Sequence, residues 1–250
     1  MLSIHPLPSL ETNYIWVLQQ GRSAVAVDPG DAAPLVEYLQ QNQLELRAIL
    51  VTHRHADHTD GLPALHHAFP APVHGPATIP GVTHPVRDGD TLRLLDRDWR
   101  VLATPGHTDE HVAYYGDGAL FCGDVLFGAG CGRIFDGTPQ EMYASLMKLN
   151  ALPPDTLVYS AHEYTLPNLR FAAAVEPGNP VIARRIALDQ EKIAHGQPTQ
   201  PSALADEQAT NPFLRCDVPE VIANARLHMP QAHTPTEVFA ALREWKNHFK

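Results

Sequence analysis

The sequence predicts a mixed α/β domain followed by a small α-helical one. Three observations carry this. Up to about residue 165, short apolar runs of β type alternate with amphipathic helical stretches. Beyond that point strand signals stop, and helical patterns near 166–175, 179–195, 218–228 and 234–248 are separated by Pro-rich joints. Finally, 250 residues with 44% hydrophobic and 18% charged content are enough to bury a real core. The expected division is therefore residues 1–165 and 166–250.

The elements follow in order. Tyr14–Leu18 and Ser23–Val27 are apolar runs separated by Gln20-Gly21, the pattern of a β-hairpin. Asp28-Pro29-Gly30 is a turn signal, and an amphipathic helix is expected over 34–41. Arg47–Val51 is a short buried strand, and the chain then turns into a helix expected over Asp60–Phe69. Further strands are expected at Leu92–Leu95, Arg100–Ala103, Val112–Tyr115 and Ala119–Phe121. Thr138-Pro139-Gln140-Glu141 combines a capping box with proline at the first helical position, so a helix starts there with Met142, Leu146 and Leu149 as its stripe. Thr156–Ser160 is the last strand expected. Val238, Leu242, Trp245 and Phe249 share one face of the final helix.

Bulk properties exclude several classes. A net charge of −10 and a pI near 5.8 argue against a nucleic-acid-binding face, so any anionic substrate must be held by a few local cations. The three cysteines, Cys122, Cys131 and Cys216, form no Cys-x-x-Cys pair and no disulfide framework is expected. No apolar run approaches membrane-spanning length, and Met1-Leu-Ser-Ile-His-Pro6 does not read as a secretory leader. The expectation is a soluble, monomeric, cytoplasmic protein with no nucleic-acid or membrane partner.

The chemistry concentrates in Thr52-His-Arg-His-Ala-Asp-His58, at the carboxyl end of a strand, where α/β sheets present their ligand-binding loops. His53 and His55 alternate by two, so an extended backbone sends both imidazoles the same way. With Asp57 and His58 they place four ligand-type side chains in six residues, more than one tetrahedral ion uses from one segment. Two ions are the economical reading, with His53 and His55 on one and Asp57 and His58 on the other. Three more ligand-type residues also follow strand ends: His107 in Ala103-Thr-Pro-Gly-His107, Asp124 in Leu120-Phe-Cys-Gly-Asp124, and His162 in Val158-Tyr-Ser-Ala-His162. Of these only Asp124 has two oxygens able to bridge, and a bridging hydroxide fits between ions about 3.5–4 Å apart. His111 stands close enough to His107 to substitute for it. Fifteen histidines make a stray one cheap, and Asp124 after Gly123 would also suit a turn. A run of imidazoles beside a carboxylate has few such bland uses.

These motifs, with Asp28-Pro-Gly30 upstream, resemble the metallo-β-lactamase superfamily, which implies its αββα sandwich for the first domain. Gly130-Cys-Gly-Arg-Ile-Phe-Asp-Gly-Thr138, His162-Glu-Tyr-Thr165, Asn211-Pro-Phe-Leu-Arg215 and Arg243-Glu-Trp-Lys246 are similar to the glyoxalase II, or hydroxyacylglutathione hydrolase, family within it. That resemblance extends to the small helical C-terminal domain. It implies two divalent metal ions, zinc being expected and iron or manganese compatible with the same ligands. His53, His55 and His107 would hold one ion, and Asp57, His58 and His162 the other, with Asp124 between them. Asp57 would also orient the bridging hydroxide. The implied substrate is a glutathione thioester, S-lactoylglutathione, bound through Arg133, Tyr164, Arg243 and Lys246. Phe135 stands where many members carry tyrosine, so one substrate hydrogen bond is lost there. Arg243 and Lys246 lie about 60° apart on a helix, flanking its apolar stripe, and would supply the local cations that the overall charge does not. The implied product is a 2-hydroxy acid, D-lactate, in the second step of methylglyoxal detoxification. A one-iron sulfur dioxygenase, a secreted β-lactamase, a nuclease and a non-catalytic zinc module are the alternative readings. No Gly-x-Ser-x-Gly elbow supports a serine route.

Overall fold

The first strand, β1 (Ser3–Ser9), is one the sequence analysis does not anticipate, because Pro6 and Pro8 break the usual strand pattern. It lies at the sheet edge and pairs antiparallel with β2 (Asn13–Gln20), where only one flank of the strand needs its donors. The expected hairpin is present: β2 and β3 (Ser23–Val27) are antiparallel, with Gln20 opposite Ser23 and Gly21 at φ +59° in the turn. Helix α1 (Ala32–Gln41) begins where the side chain of Asp31 accepts from the amide of Ala33, and leads into β4 (Glu45–Leu50), parallel to β3. The single helix expected from Asp60 is instead two, α2 (Ala56–Thr59) and α3 (Leu62–Ala68). Gly61 separates them, its amide donating to Pro29 O, and a Cβ there would lie 2.3 Å from that oxygen. Strands β5 (Val73–Gly75) and β6 (His84–Pro85) complete a six-stranded sheet of order β1-β2-β3-β4-β5-β6. Alternate residues Ile15, Val17, Ala24, Ala26, Ile49 and Val51 form its core with Leu35, Leu39, Leu62 and Leu65 of the helices.

A meander follows: β7 (Thr91–Leu94), β8 (Arg97–Ala103), β9 (Val112–Gly116) and β10 (Ala119–Phe121), consecutive neighbours pairing antiparallel. Two of its turns have both central residues at positive φ, Leu95-Asp96 at 50° and 57° and Asp117-Gly118 at 49° and 74°. That backbone twist matches the strands it joins. Trp99, Val101, Tyr114 and Phe121 are buried beneath it.

The structure, a computed structural model, describes residues 1–249. The chain packs as two compact units: Met1–Ala103 with Glu110–Gly123, and Thr104–Asp109 with the chain from Asp124 onward. The first holds the elements above. The second opens with a tight hairpin, β11 (Leu126–Phe127) and β12 (Gly130–Cys131), another ladder too short to be read from sequence. Helix α4 (Pro139–Asn150) starts at the expected capping box of Thr138 and Glu141. Strand β13 (Leu157–Tyr159) is followed by α5 (Thr165–Val175) and α6 (Pro180–Ala194). It is not the last strand: β14 (Ser202–Ala203) pairs antiparallel with it before α7 (Leu204–Thr210). Helices α8 (Pro219–His228) and α9 (Pro235–His248) end the unit. On α9 the predicted stripe is buried at Val238 and Leu242, and Trp245 and Phe249 set their rings edge-on to Phe171.

Candidate metal centre

In the first unit the ligand-bearing segment leaves β4 and is held from below by Asp28, a residue with φ +52°. Asp28 Oδ1 accepts from the amide of Thr52 at 2.7 Å, and Oδ2 accepts from Thr52 Oγ1 at 2.7 Å. Thr52 Oγ1, having spent its proton, accepts from His53 Nδ1 at 3.1 Å. His58 Nδ1 faces Asp28 Oδ2 at 3.1 Å. The buried carboxylate therefore sets the His53 tautomer through Thr52, so that His53 presents Nε2, and it lies against the His58 ring as well. The chemistry of Nε2 is then visible in its neighbours: His53 Nε2 lies 3.0 Å from His55 Nδ1, and His58 Nε2 lies 3.5 Å from Asp57 Oδ2. Asn13 Nδ2 donates to both Asp57 O and Asp57 Oδ2, at 3.2 and 3.0 Å, and fixes that carboxylate. His111 stacks on His53 with ring centres 4.9 Å apart. The sequence analysis missed Asp28 and Asn13 as site residues. Asp28 could have been found, since it too follows a buried strand.

In the second unit Asp124 directs its two oxygens to different histidines. Oδ2 is 3.4 Å from His107 Nε2, and Oδ1 is 3.4 Å from His162 Nε2. His107 Nδ1 donates to the carbonyl of Arg133 at 2.7 Å, which fixes the tautomer with Nε2 toward Asp124. Tyr164 lies flat on His162, interplanar angle 1° and centroid distance 4.7 Å, and Phe127 meets both rings edge-on. Phe135, 60% exposed, stands edge-on to His107 at 5.2 Å. Arg133 carries an exposed side chain on the irregular segment that follows β12.

All seven residues expected as ligands, His53, His55, Asp57, His58, His107, Asp124 and His162, fall in His/Asp groups able to hold metal ions. The donor set is imidazole nitrogen and carboxylate oxygen, which suits zinc, iron or manganese. Each expected ligand histidine with a mapped second contact, His53, His58 and His107, has that contact made to an oxygen, as ligating imidazoles require.

The C-terminal cations are placed differently from each other. Arg243 is only 6% exposed; its Nη1 donates to Cys131 O at 2.8 Å and Gly132 O at 3.3 Å, and its guanidinium lies over Phe213. Arg243 thus holds the backbone of the segment that leads into Arg133. Lys246 donates from Nζ to Pro167 O at 3.3 Å and lies over the rings of Phe171 and Phe249. Partial burial, then the neighbouring Arg243 and Arg170 charges, lower its pKa to about 8.

Four ligand segments entering at the ends of β4, β8, β10 and β13, on mixed sheets with flanking helices, define a metallo-β-lactamase fold, and the metallo-β-lactamase superfamily model matches residues 10–162. Residues 163–249 match the hydroxyacylglutathione hydrolase C-terminus. The chain belongs to the hydroxyacylglutathione hydrolase family. It is 50% identical over 255 residues to the hydroxyacylglutathione hydrolase of Nitrosomonas eutropha, covering all of both chains. The enzyme of that name from Vibrio cholerae is 48% identical over 258 residues, again with all of both chains covered. Among solved structures, ETHE1 from Myxococcus xanthus superposes with a TM-score of 0.67 at 25% identity, covering all of both chains.

Proposed function

We propose that this protein is a hydroxyacylglutathione hydrolase that cleaves S-(2-hydroxyacyl)glutathione, with S-lactoylglutathione as substrate and glutathione and D-lactate as products, the second step of methylglyoxal detoxification. The observation that carries the two-metal form of this reading is Asp124, whose two oxygens face two different histidines. His53, His55 and His107 would hold one ion, Asp57, His58 and His162 the other, with Asp124 shared; zinc is the proposed metal. Bound there, the ions would acidify a water and polarise the thioester carbonyl. Asp57, fixed by Asn13, orients the attacking water. The departing thiolate has an ordinary pKa of about 8.5, so no side chain need protonate it as it leaves.

Residues 1–165 form the catalytic domain in this reading and 166–250 the substrate-binding one. Arg133, Tyr164, Arg243 and Lys246 bind the glutathione moiety, Phe135 lines its path, and Arg243 also holds the backbone leading into Arg133. A monomer in the cytoplasm is the proposed form; the three cysteines are buried, and no helix among the described residues is long and apolar enough to cross a membrane. The test is a thioester assay on metal-loaded protein: loss of S-lactoylglutathione with stoichiometric thiol release is expected. Oxygen uptake with the thioester intact would overturn the reading in favour of a dioxygenase.

Lys246 gives the reading a pH signature. Its ammonium is charged below about pH 8 and neutral above it. KM for S-lactoylglutathione therefore rises as pH passes 8, while kcat does not share that inflection. Lys246→Met raises KM roughly tenfold at pH 7, the scale of one charge-assisted hydrogen bond, and abolishes the alkaline rise.

A further inference from the structure

The β11–β12 hairpin touches every proposed ligand of its unit. Its two ends, Asp124 and Arg133, grip the two ring nitrogens of His107, at 3.4 Å to Nε2 and 2.7 Å to Nδ1. Phe127, at its turn, meets His162 edge-on. Gly132 closes the base so tightly that a Cβ would lie 1.9 Å from Asp124 O. Where this hairpin sits thus decides where those donor atoms sit.

The hairpin does not hold itself. Its turn residue Ala129 is at φ +52°, unfavourable for an L-residue with a Cβ. The methyl is retained because it packs among Leu169, Ala172 and Ile182. Side chains from the C-terminal helices bind the surrounding backbone. Glu207 Oε2 accepts from the Ala129 amide at 2.7 Å. Asn211 Nδ2 donates to Gly130 O at 2.9 Å and Phe127 O at 3.3 Å, and Asn168 Nδ2 donates to Gly128 O at 3.1 Å. Glu207 is fully buried, with Oε1 accepting from Arg185 Nη2 at 2.5 Å and Ser202 Oγ at 2.7 Å. This buried carboxylate is fully partnered, its Oε1 by the Arg185 guanidinium and Ser202 and its Oε2 by the Ala129 amide, so its position and that of the loop are tied together.

We propose that Glu207, backed by Arg185 and flanked by Asn211 and Asn168, is a positioning residue that fixes the Phe127–Gly132 hairpin and through it the aim of His107, Asp124 and the Arg133 segment. This rests on the metal-ligand assignment above, and its first readout needs no substrate. In the full chain, zinc affinity is measured by competition with a chromophoric chelator. Glu207→Gln weakens zinc binding about tenfold, and Asn168→Ala, which removes one hairpin donor and suits a helix interior, about threefold. Asp189→Asn is the control, since Asp189 pairs with Arg185 and Lys192 but touches no hairpin atom. It lowers Tm yet keeps zinc affinity within about twofold of the parent, below the tenfold scale of a lost outer partner, because Arg185 retains its bonds to Glu207 and Thr210 and no hairpin hydrogen bond is removed. KM for S-lactoylglutathione rises in the first two variants and not in the third. If Glu207→Gln does not fold, Asn168→Ala decides. Parent-like zinc affinity in the folded hairpin variants, or an equal loss in Asp189→Asn, overturns the proposal. A parent protein that binds zinc but leaves the thioester intact would instead count against the thioester reading and leave the zinc measurement standing.

Discussion

Asp124→Ala binds less than two equivalents of metal per chain and loses more than about 10³-fold in kcat for thioester hydrolysis. The magnitude follows from what is removed. Loss of a single transition-state donor in an acyl-transfer site costs on the order of 10²–10³, and here a shared ligand disappears along with its two histidine contacts of 3.4 Å. His107 keeps its bond to Arg133 O and His162 its stacking on Tyr164, so the defect is confined to the ions. Elemental analysis and kcat on protein refilled with zinc check this. Full metal content with parent-like turnover would remove Asp124 from the bridging position.

Gly132→Ala gives a comparable loss by steric means. A Cβ at residue 132 would fall 1.9 Å from Asp124 O and 3.0 Å from His107 Nδ1. The obstructing atom is backbone, which cannot rotate away, so the hairpin base must open and carry Arg133 O off His107. Gly178→Ala is the comparison, because its new methyl would meet only the mobile carboxylate of Glu220, at 3.0 Å. Expected is a fall in zinc affinity and kcat/KM of about 10²-fold or more for Gly132→Ala, beyond the tenfold scale of single outer contacts, with helical circular dichroism retained. Gly178→Ala stays near the parent. Equal behaviour of the two would show that the hairpin base tolerates opening.

The residues of the His/Asp groups able to hold metal ions were legible because their signal is local and redundant. Each follows a strand end: His53 after β4, His107 after β8, Asp124 after β10 and His162 after β13. A side chain that must reach an ion at a sheet's edge is tied to that position by the backbone itself, and strand ends are readable from apolar runs. The capping box at Thr138 was equally local. Short or proline-bearing strands were not readable: β1 pairs through a neighbour's backbone, and the two-residue ladders β11–β12 and β13–β14 carry no period at all.

The sequence by itself determined the α/β class, the helical C-terminal segment and which imidazoles and carboxylates could serve as ligands, since residue type and spacing suffice for these. Only the tertiary structure decided how those groups are aimed. Asp28 sets the His53 tautomer through Thr52, 24 residues away in the chain, and Glu207 reaches Ala129 across 78. Arg243, which the family resemblance marked as a substrate grip, also sets its Nη1 against carbonyls 111 and 112 residues distant. Such hydrogen bonds depend on where distant backbone ends up after folding, and no local pattern of side chains encodes that position.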